Sequence, residues 1–271
     1  MQADDRPVPA PGTGVRRVIA VGNQKGGVGK TTTTVNVGAA MAEMGYRVLI
    51  IDLDPQGNAT TGLGVNARSL EHTAYDVLMD KAPLDDAVAA TSIRNLFVLP
   101  ATIDLAGAEI ELVPAIARET KLRNAIDKSE GWDFVLIDCP PSLGLLNINA
   151  LCAATEIVIP IQCEYYALEG VGQLLRNIQL IQQSLNPELT VSSVVMTMYD
   201  ARTKLSDQVV SEVREHFGDK VCKMVIPRNV RLSESPSYGQ PIITFDPIGR
   251  GAVAYRAVAK EVVLRAPDRL G

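Results

Sequence analysis

One segment constrains this chain more than any other. A short apolar run at residues 18–21 opens into Gly22-Asn-Gln-Lys-Gly-Gly-Val-Gly-Lys-Thr-Thr32, and a helix-patterned stretch begins at Thr31. A strand feeding a glycine-rich loop that opens a helix is the arrangement that cradles a phosphate. Glycines let backbone N–H groups crowd around an anion without Cβ clashes, and the helix presents its free N–H groups and positive dipole end to the same point. Lys30 can then reach the outer phosphates of a nucleoside triphosphate, and the Thr31 hydroxyl can ligate magnesium. The usual pattern, G-x-x-x-x-G-K-[ST], asks for glycine at position 24. Gln24 stands there, and Lys25, Gly26 and Gly27 follow it.

The remaining pattern supports an α/β fold. Continuous apolar runs at 47–53, 96–99, 133–137, 156–161, 191–198 and 224–226 read as strands. Helical stretches at 31–44, 104–128 (broken at Pro114), 168–185 and 252–264 alternate with them. Strands apolar on both faces belong to a parallel sheet covered on two sides. The 46% hydrophobic content with only 4% aromatics, drawn from aliphatic residues and alanine, suits such a core. The expected fold is therefore α/β, of single-domain P-loop NTPase type: a mostly parallel twisted sheet with helices on both faces. Its domain spans residues 16–265, between loose tails at 1–15 and 266–271. Ligands bind beyond the carboxyl ends of such strands, so Lys25, Asp54 and Asp138 are expected on one rim.

Several classes are disfavoured. No apolar run reaches the ~18 residues of a membrane span, and the first 14 residues lack the apolar core of a secretory signal. Cys139, Cys152, Cys163 and Cys222 show neither CxxC pairing nor zinc-ligand spacing and read as buried thiols of a reducing compartment. The net charge of −5 disfavours nucleic acid, but its distribution matters more. Residues 1–199 carry 14 Lys/Arg against 22 Asp/Glu, and residues 200–271 carry 12 against 9. The basic excess is C-terminal and can form a local patch.

Two acids end strands. In Asp52-Leu-Asp54-Pro-Gln-Gly-Asn58, Asp52 and Asp54 point to one side of an extended strand. Asp54, nearer the rim, can position a water for in-line attack on a phosphate, and Asp52 reads as structural, hydrogen-bonded to the loop. Asp138, in Val135-Leu-Ile-Asp-Cys-Pro-Pro-Ser142, follows an apolar strand where an acid can hold a magnesium-bound water. Pro140 and Pro141 stiffen a segment placed to sense the terminal phosphate.

With its early lysine, the loop resembles the deviant Walker A motif, KGGxGKTT, of the ParA/MinD family of ATPases. Asp54-Pro-Gln-Gly-Asn-Ala-Thr-Thr-Gly62 and Ile226-Pro-Arg-Asn-Val-Arg-Leu-Ser-Glu-Ser-Pro236 look specifically like chromosomal ParA (Soj-type) proteins, and the likeness spans residues 16–265. It implies ATP and Mg2+ as cofactors, with ATP bound by Lys25, Gly26, Gly27, Val28, Gly29, Lys30, Thr31 and Thr32. Lys25, Lys30 and Asp54 are the implied catalytic residues. Thr31 and, through a water, Asp138 are the implied metal ligands. Met198, Pro227 and Asn229 are implied at the adenine. The early lysine, Lys25, would reach across a nucleotide-sandwich homodimer to the partner's phosphates. That dimer would bind double-stranded DNA without sequence preference, through Arg202 and Arg231 with Lys204, Arg228 and Arg250. A ParB-type centromere-binding protein would stimulate hydrolysis and release it. The expected location is the cytoplasm, on the nucleoid. The chain shows no N-terminal helix-turn-helix segment, so operator binding is not expected. A MinD-like role at a membrane is the alternative. It calls for a basic amphipathic C-terminal helix, and Pro267 interrupts the end of this chain. A nitrogenase-type iron protein would need cysteines in a different pattern. A scaffold using ATP only as a switch would have no need of Asp54.

Overall fold

The computed structural model describes residues 8–12, 14–142, 144–165 and 169–265. The seven strands are β1 (Arg17–Val21), β2 (Val48–Asp52), β3 (Ala89–Ala90), β4 (Leu96–Leu99), β5 (Phe134–Asp138), β6 (Glu156–Gln162) and β7 (Thr190–Thr197). They form one sheet in the order β3-β4-β2-β5-β1-β6-β7. Every pairing is parallel except that of β3 with β4.

Successive side chains of a strand point to opposite faces, and here both faces are dry. Ala20, Leu49, Ile51, Val135 and Ile137 join one buried cluster. Ile19, Val21, Val48, Ile50 and Leu136 join the other. The second face is covered by helices Lys30–Glu43 and Arg250–Leu264. Four successive threonines at 31–34 are poor helix formers, so packing holds the first of these helices in place. It lies so close to the sheet that a Cβ on Gly38 would stand 2.9 Å from Ile50 Cδ1. Met44 ends it, and Gly45 turns the chain with φ +99°.

The topology puts β1, β2 and β5 side by side at the centre, with Val21 and Asp52 both in register with Asp138. Their carboxyl ends therefore form one rim, and the loops after them meet there.

Three expectations need correction. Residues 224–226 form no strand. Around it the chain meets β7 through separate bonds, Cys222 N to the Val194 carbonyl and Ile226 N to the Met196 carbonyl (both 2.8 Å), and isolated bridges flank it at Val221 and Pro227, because the amides of Lys223 and Met224 between them donate to the Glu261 carboxylate (2.7 and 3.0 Å). The helical stretch 104–128 is two short helices, Leu105–Glu111 and Lys121–Asp127, separated by turns well beyond Pro114. The tail expected to be loose packs in its later part: Val8 lies against the core, Tyr46 donates to the Pro9 carbonyl, and Gly12 N donates to Asp133 (2.7 Å). The expected tail at 266–271 and the start of the helix expected at 168 lie outside the described residues.

Candidate active site

The glycine-rich loop is built by anchors at both ends. Gly22 N donates to the Val158 carbonyl (3.1 Å). The buried Asn23 amide donates to the Pro160 carbonyl (2.8 Å), and its oxygen accepts from Lys25 N (3.0 Å). Further on, the Val28 side chain is buried in the core, and the Val28 carbonyl accepts from Thr197 Oγ1 (2.8 Å). Gly27 and Gly29 adopt φ of +75° and +88°, a left-handed conformation that disfavours side chains. Gly29 precedes helix Lys30–Glu43 without any side-chain cap, so the first-turn N–H groups stay free for an anion.

The loop opens on a cavity of about 560 Å³ lined by Gly26, Gly27, Gly29, Lys30, Thr31 and Thr32, with Asp54 and Pro141 opposite. Lys30 is only 8% exposed, and its ammonium donates to the Lys25 carbonyl at 3.2 Å. Burial holds its pKa below the usual lysine value, while the fields of Asp138, Cys139 and Asp54 oppose the shift. The charge is thus held in place before any ligand arrives.

The three acids at the strand ends differ in their surroundings. Asp138 is fully buried, with Thr31 Oγ1 donating to it at 2.7 Å and Thr34 Oγ1 at 3.0 Å. Asp52, also fully buried, accepts from Thr60 N (2.8 Å), Thr60 Oγ1 (2.7 Å) and Asp54 N (3.2 Å), so it pins the segment that carries Asp54. The two carboxyls are strand neighbours. Burial first, and then their mutual repulsion, pushes Asp138 up, and burial does the same to Asp52. Asp54 lines the cavity, and its Oδ1 accepts from the backbone N–H of Gln56 (2.9 Å).

Magnesium and a triphosphate fit this donor set. Thr31 offers a hydroxyl at the helix start, Asp138 offers hard oxygen behind it, and the buried acid pair favours a divalent cation. Among the described residues no cluster of three or more His, Cys, Asp or Glu could hold a metal without such a ligand's own oxygens.

Lys25 lies outside the cavity lining. Its side chain is about one-third exposed, and its ammonium sits 3.7 Å from the Glu164 carboxylate. Met198 lines the phosphate cavity with φ +54°, a conformation uncommon for a side-chain-bearing residue. Pro227 and Asn229 instead line a neighbouring cavity of about 770 Å³, together with Arg202, Arg228 and Arg250. The Asn229 side chain caps the helix Val230–Glu234 by accepting from Arg231 N (2.8 Å). Arg202 is exposed and held by Asp200 through two bonds of 2.9 and 2.7 Å. Arg231 lies over the Phe245 ring at 4.7 Å and 3.5 Å from Glu234. Lys204 is exposed at the start of helix Lys204–Phe217. The structure thus gathers Arg202, Arg228 and Arg250 around one cleft.

The sequence reading missed Asn36, Asn58, Thr61, Ser235, Ser237 and Gln240, which supply further polar groups to the lining of the phosphate cavity. The signal was present: Asn58 and Thr61 belong to the segment 54–62, and Ser235 to the segment 226–236, both singled out above without assigning these residues.

Comparison with known proteins agrees with this geometry. The family model described as an AAA domain matches residues 16–191. The sporulation initiation inhibitor protein Soj of Bacillus subtilis is 58% identical over 247 residues, covering 91% of this chain and 98% of Soj. The chain belongs to the ParA/Soj family of chromosome-partitioning ATPases. The ParA of Caulobacter vibrioides is 52% identical, covering 93% of this chain and 96% of its own. Among solved structures, a cobyrinic acid a,c-diamide synthase from Mycobacterium smegmatis with bound ADP and magnesium superposes with a TM-score of 0.79 at 42% identity, covering 90% and 93%. As a ParA/Soj-family chain, the protein carries its loop, rim acids and sheet order where a P-loop NTPase needs them. No helix among the described residues is long and apolar enough to cross a membrane.

Proposed function

We propose that this ParA/Soj-family chain is an ATP-hydrolysing partition protein that cycles on DNA in the cytoplasm, on the nucleoid. The observation that carries the reading is the convergence of Lys30, the Thr31–Asp138 pair and Asp54 on one cavity, beside a cleft rimmed by Arg202, Arg228 and Arg250. The free N–H groups of the loop and helix start bind the phosphates, and Lys30 neutralises the outer ones. Thr31 directly, and Asp138 through a water, would hold magnesium, which when bound offsets charge on the outer phosphates. Asp54 orients the attacking water and holds its proton. The half-free Lys25 reaches outward to the phosphates of a second copy, so ATP closes a sandwich homodimer.

In that dimer the arginine-lined faces combine to bind double-stranded DNA. Such contacts address phosphates and carry no sequence information. Arg231 and Lys204 extend the surface. Met198, Pro227 and Asn229 are the proposed adenine contacts. A ParB-type centromere-binding protein speeds hydrolysis and so releases the chain from DNA.

Gel shifts on unrelated duplexes test the reading. Retention of DNA in ATP and its loss in ADP are expected, with the retention in ATP weakened by Arg202→Ala plus Arg231→Ala. Equal binding in ATP and ADP contradicts it.

A further inference from the structure

One wall of the phosphate cavity is continuous with the basic face. Ser235, Pro236, Ser237, Gln240 and Pro241 line the cavity. Helix Val230–Glu234, which carries Arg231, comes immediately before this stretch, and the one-turn helix Ile242–Phe245 immediately after it. Gly239 turns the chain between them with φ +64°, and a Cβ on it would stand 2.8 Å from Gly64 Cα. So close a backbone contact leaves the wall little room to give.

Asn36 ties this wall to the phosphate-binding helix. It is 2% exposed and bridges two backbones. Its amide donates to the carbonyl of Thr32, in the first turn of helix Lys30–Glu43 (2.8 Å), and its oxygen accepts from Ile242 N (2.7 Å). Ile242 is fully buried, so breaking that bond would leave a buried donor unpaired. Asp246 N closes the one-turn helix by donating to the Ile242 carbonyl (2.9 Å). At the end of that turn the Phe245 ring meets Tyr238 at 5.0 Å and lies 4.7 Å beneath the Arg231 guanidinium. Arg231 also faces Glu234 at 3.5 Å, an exposed pair of small worth. Arg202 has a different anchor, Asp200, just after β7 and outside the phosphate cavity.

From this line of contacts, and resting on the reading of Arg231 as a DNA contact, we infer that Asn36 and Phe245 are positioning residues that make Arg231 the nucleotide-sensitive member of the DNA surface. The first turn of helix Lys30–Glu43 takes one position against a triphosphate and another against a diphosphate. Thr32 passes that difference to Asn36, Asn36 to Ile242, and the one-turn helix to the ring beneath Arg231. Seated on a triphosphate, the chain presents Arg231 to duplex phosphate. With a diphosphate, Arg231 stays with Glu234. Arg202, held by Asp200, keeps one place in both states.

The test measures affinity of the full chain for an unrelated duplex, at saturating non-hydrolysable ATP analogue and at saturating ADP, in salt low enough that both states bind. Arg231→Ala should lower affinity about tenfold with the analogue, the worth of one charged hydrogen bond, and change it less than about twofold with ADP. Arg202→Ala should lower it in both. Phe245→Leu removes no charge, yet should reproduce the Arg231→Ala pattern, with the ATP-dependent dimer intact in light scattering. Asn36→Ala should do the same, and Phe245→Tyr, which keeps the ring, should restore the discrimination. A merely structural role for Phe245 would lower affinity in both nucleotides. That outcome, full discrimination in Phe245→Leu or in Asn36→Ala, or loss of the dimer in Phe245→Leu each overturns the coupling and leaves the partition reading standing. If the unchanged chain binds equally with the analogue and with ADP, the partition reading falls, and the coupling falls with it.

Discussion

The phosphate rim and the arginine-lined cleft lie near each other but are built differently. At the rim, each functional group is fixed by the fold. Asn23 pins the loop start, Thr197 pins Val28, Asp52 pins the Asp54 segment, and Thr31 and Thr34 bracket Asp138. In the cleft, Arg228 and Arg250 are exposed, and among the described residues Arg202 alone of the three pairs with a carboxylate, that of Asp200. A site that must stabilise charge in one geometry is preorganised. On the reading proposed above, a surface that accepts any sequence of DNA needs only exposed positive charge.

Substitutions at the rim should therefore be costly and selective. Lys30→Ala removes the buried ammonium proposed to pair with the outer phosphates, worth about 3 kcal/mol as a charged hydrogen-bond donor, so ATP affinity should fall about 100-fold in calorimetry. Near-normal affinity would break the assignment of the rim. Asp54→Ala should leave ATP binding within a few-fold but slow hydrolysis by about 10²–10⁴, the usual worth of a positioned proton acceptor. Turnover at the unaltered rate would move that role elsewhere. Lys25→Ala should spare ATP binding by the single chain and abolish the ATP-dependent dimer in light scattering, because Lys25 lies outside its own cavity.

Substitutions in the cleft should be smaller and graded. Each lost arginine should flatten the dependence of DNA affinity on salt by about one ion. Arg250→Ala should exceed Arg202→Ala, since Asp200 already engages Arg202, whose guanidinium in turn holds the Asp200 carboxyl well below the usual carboxylate range. The reverse order would show that Asp200 releases Arg202 on binding.

The smallest effect concerns pH. Asp52 and Asp138 hold their protons more tightly when folded than when unfolded. From about pH 4, the ordinary carboxylate range, the unfolded chain releases protons that the folded chain keeps. Denaturant unfolding of the nucleotide-free chain should therefore show stability falling as pH rises towards about 8, where Asp138 is pushed. Asp52→Asn should reduce the slope, and an unaffected slope would locate the burden elsewhere.

The same contrast explains what could be read from sequence. The rim was legible because each of its parts is local. The strand–glycine–helix order, Asp54 two residues after Asp52, and Asp138 at the end of an apolar run each sit within one short segment. The sheet was legible in six of its strands because their apolar runs are continuous. β3 was not, because Ala89 and Ala90 carry no pattern and pair only with β4. The strand expected at 224–226 failed because Glu261, far along the chain, takes the Met224 amide that would have continued the ladder between the Cys222 and Ile226 bonds to β7. The grouping of Pro227 and Asn229 with the arginines, and the bond from Ile242 N to Asn36, arise from tertiary neighbours and leave no local signal.

The central claim is that nucleotide bound at the rim switches on DNA binding at the cleft. It is tested most directly by loading the Asp54→Ala chain with ATP and offering it unrelated duplex DNA and anionic lipid vesicles in equal access. The account predicts stable retention on the duplex, lost when ATP is replaced by ADP, and little retention on vesicles. Retention on vesicles in place of DNA, or DNA retention indifferent to the nucleotide, would contradict it.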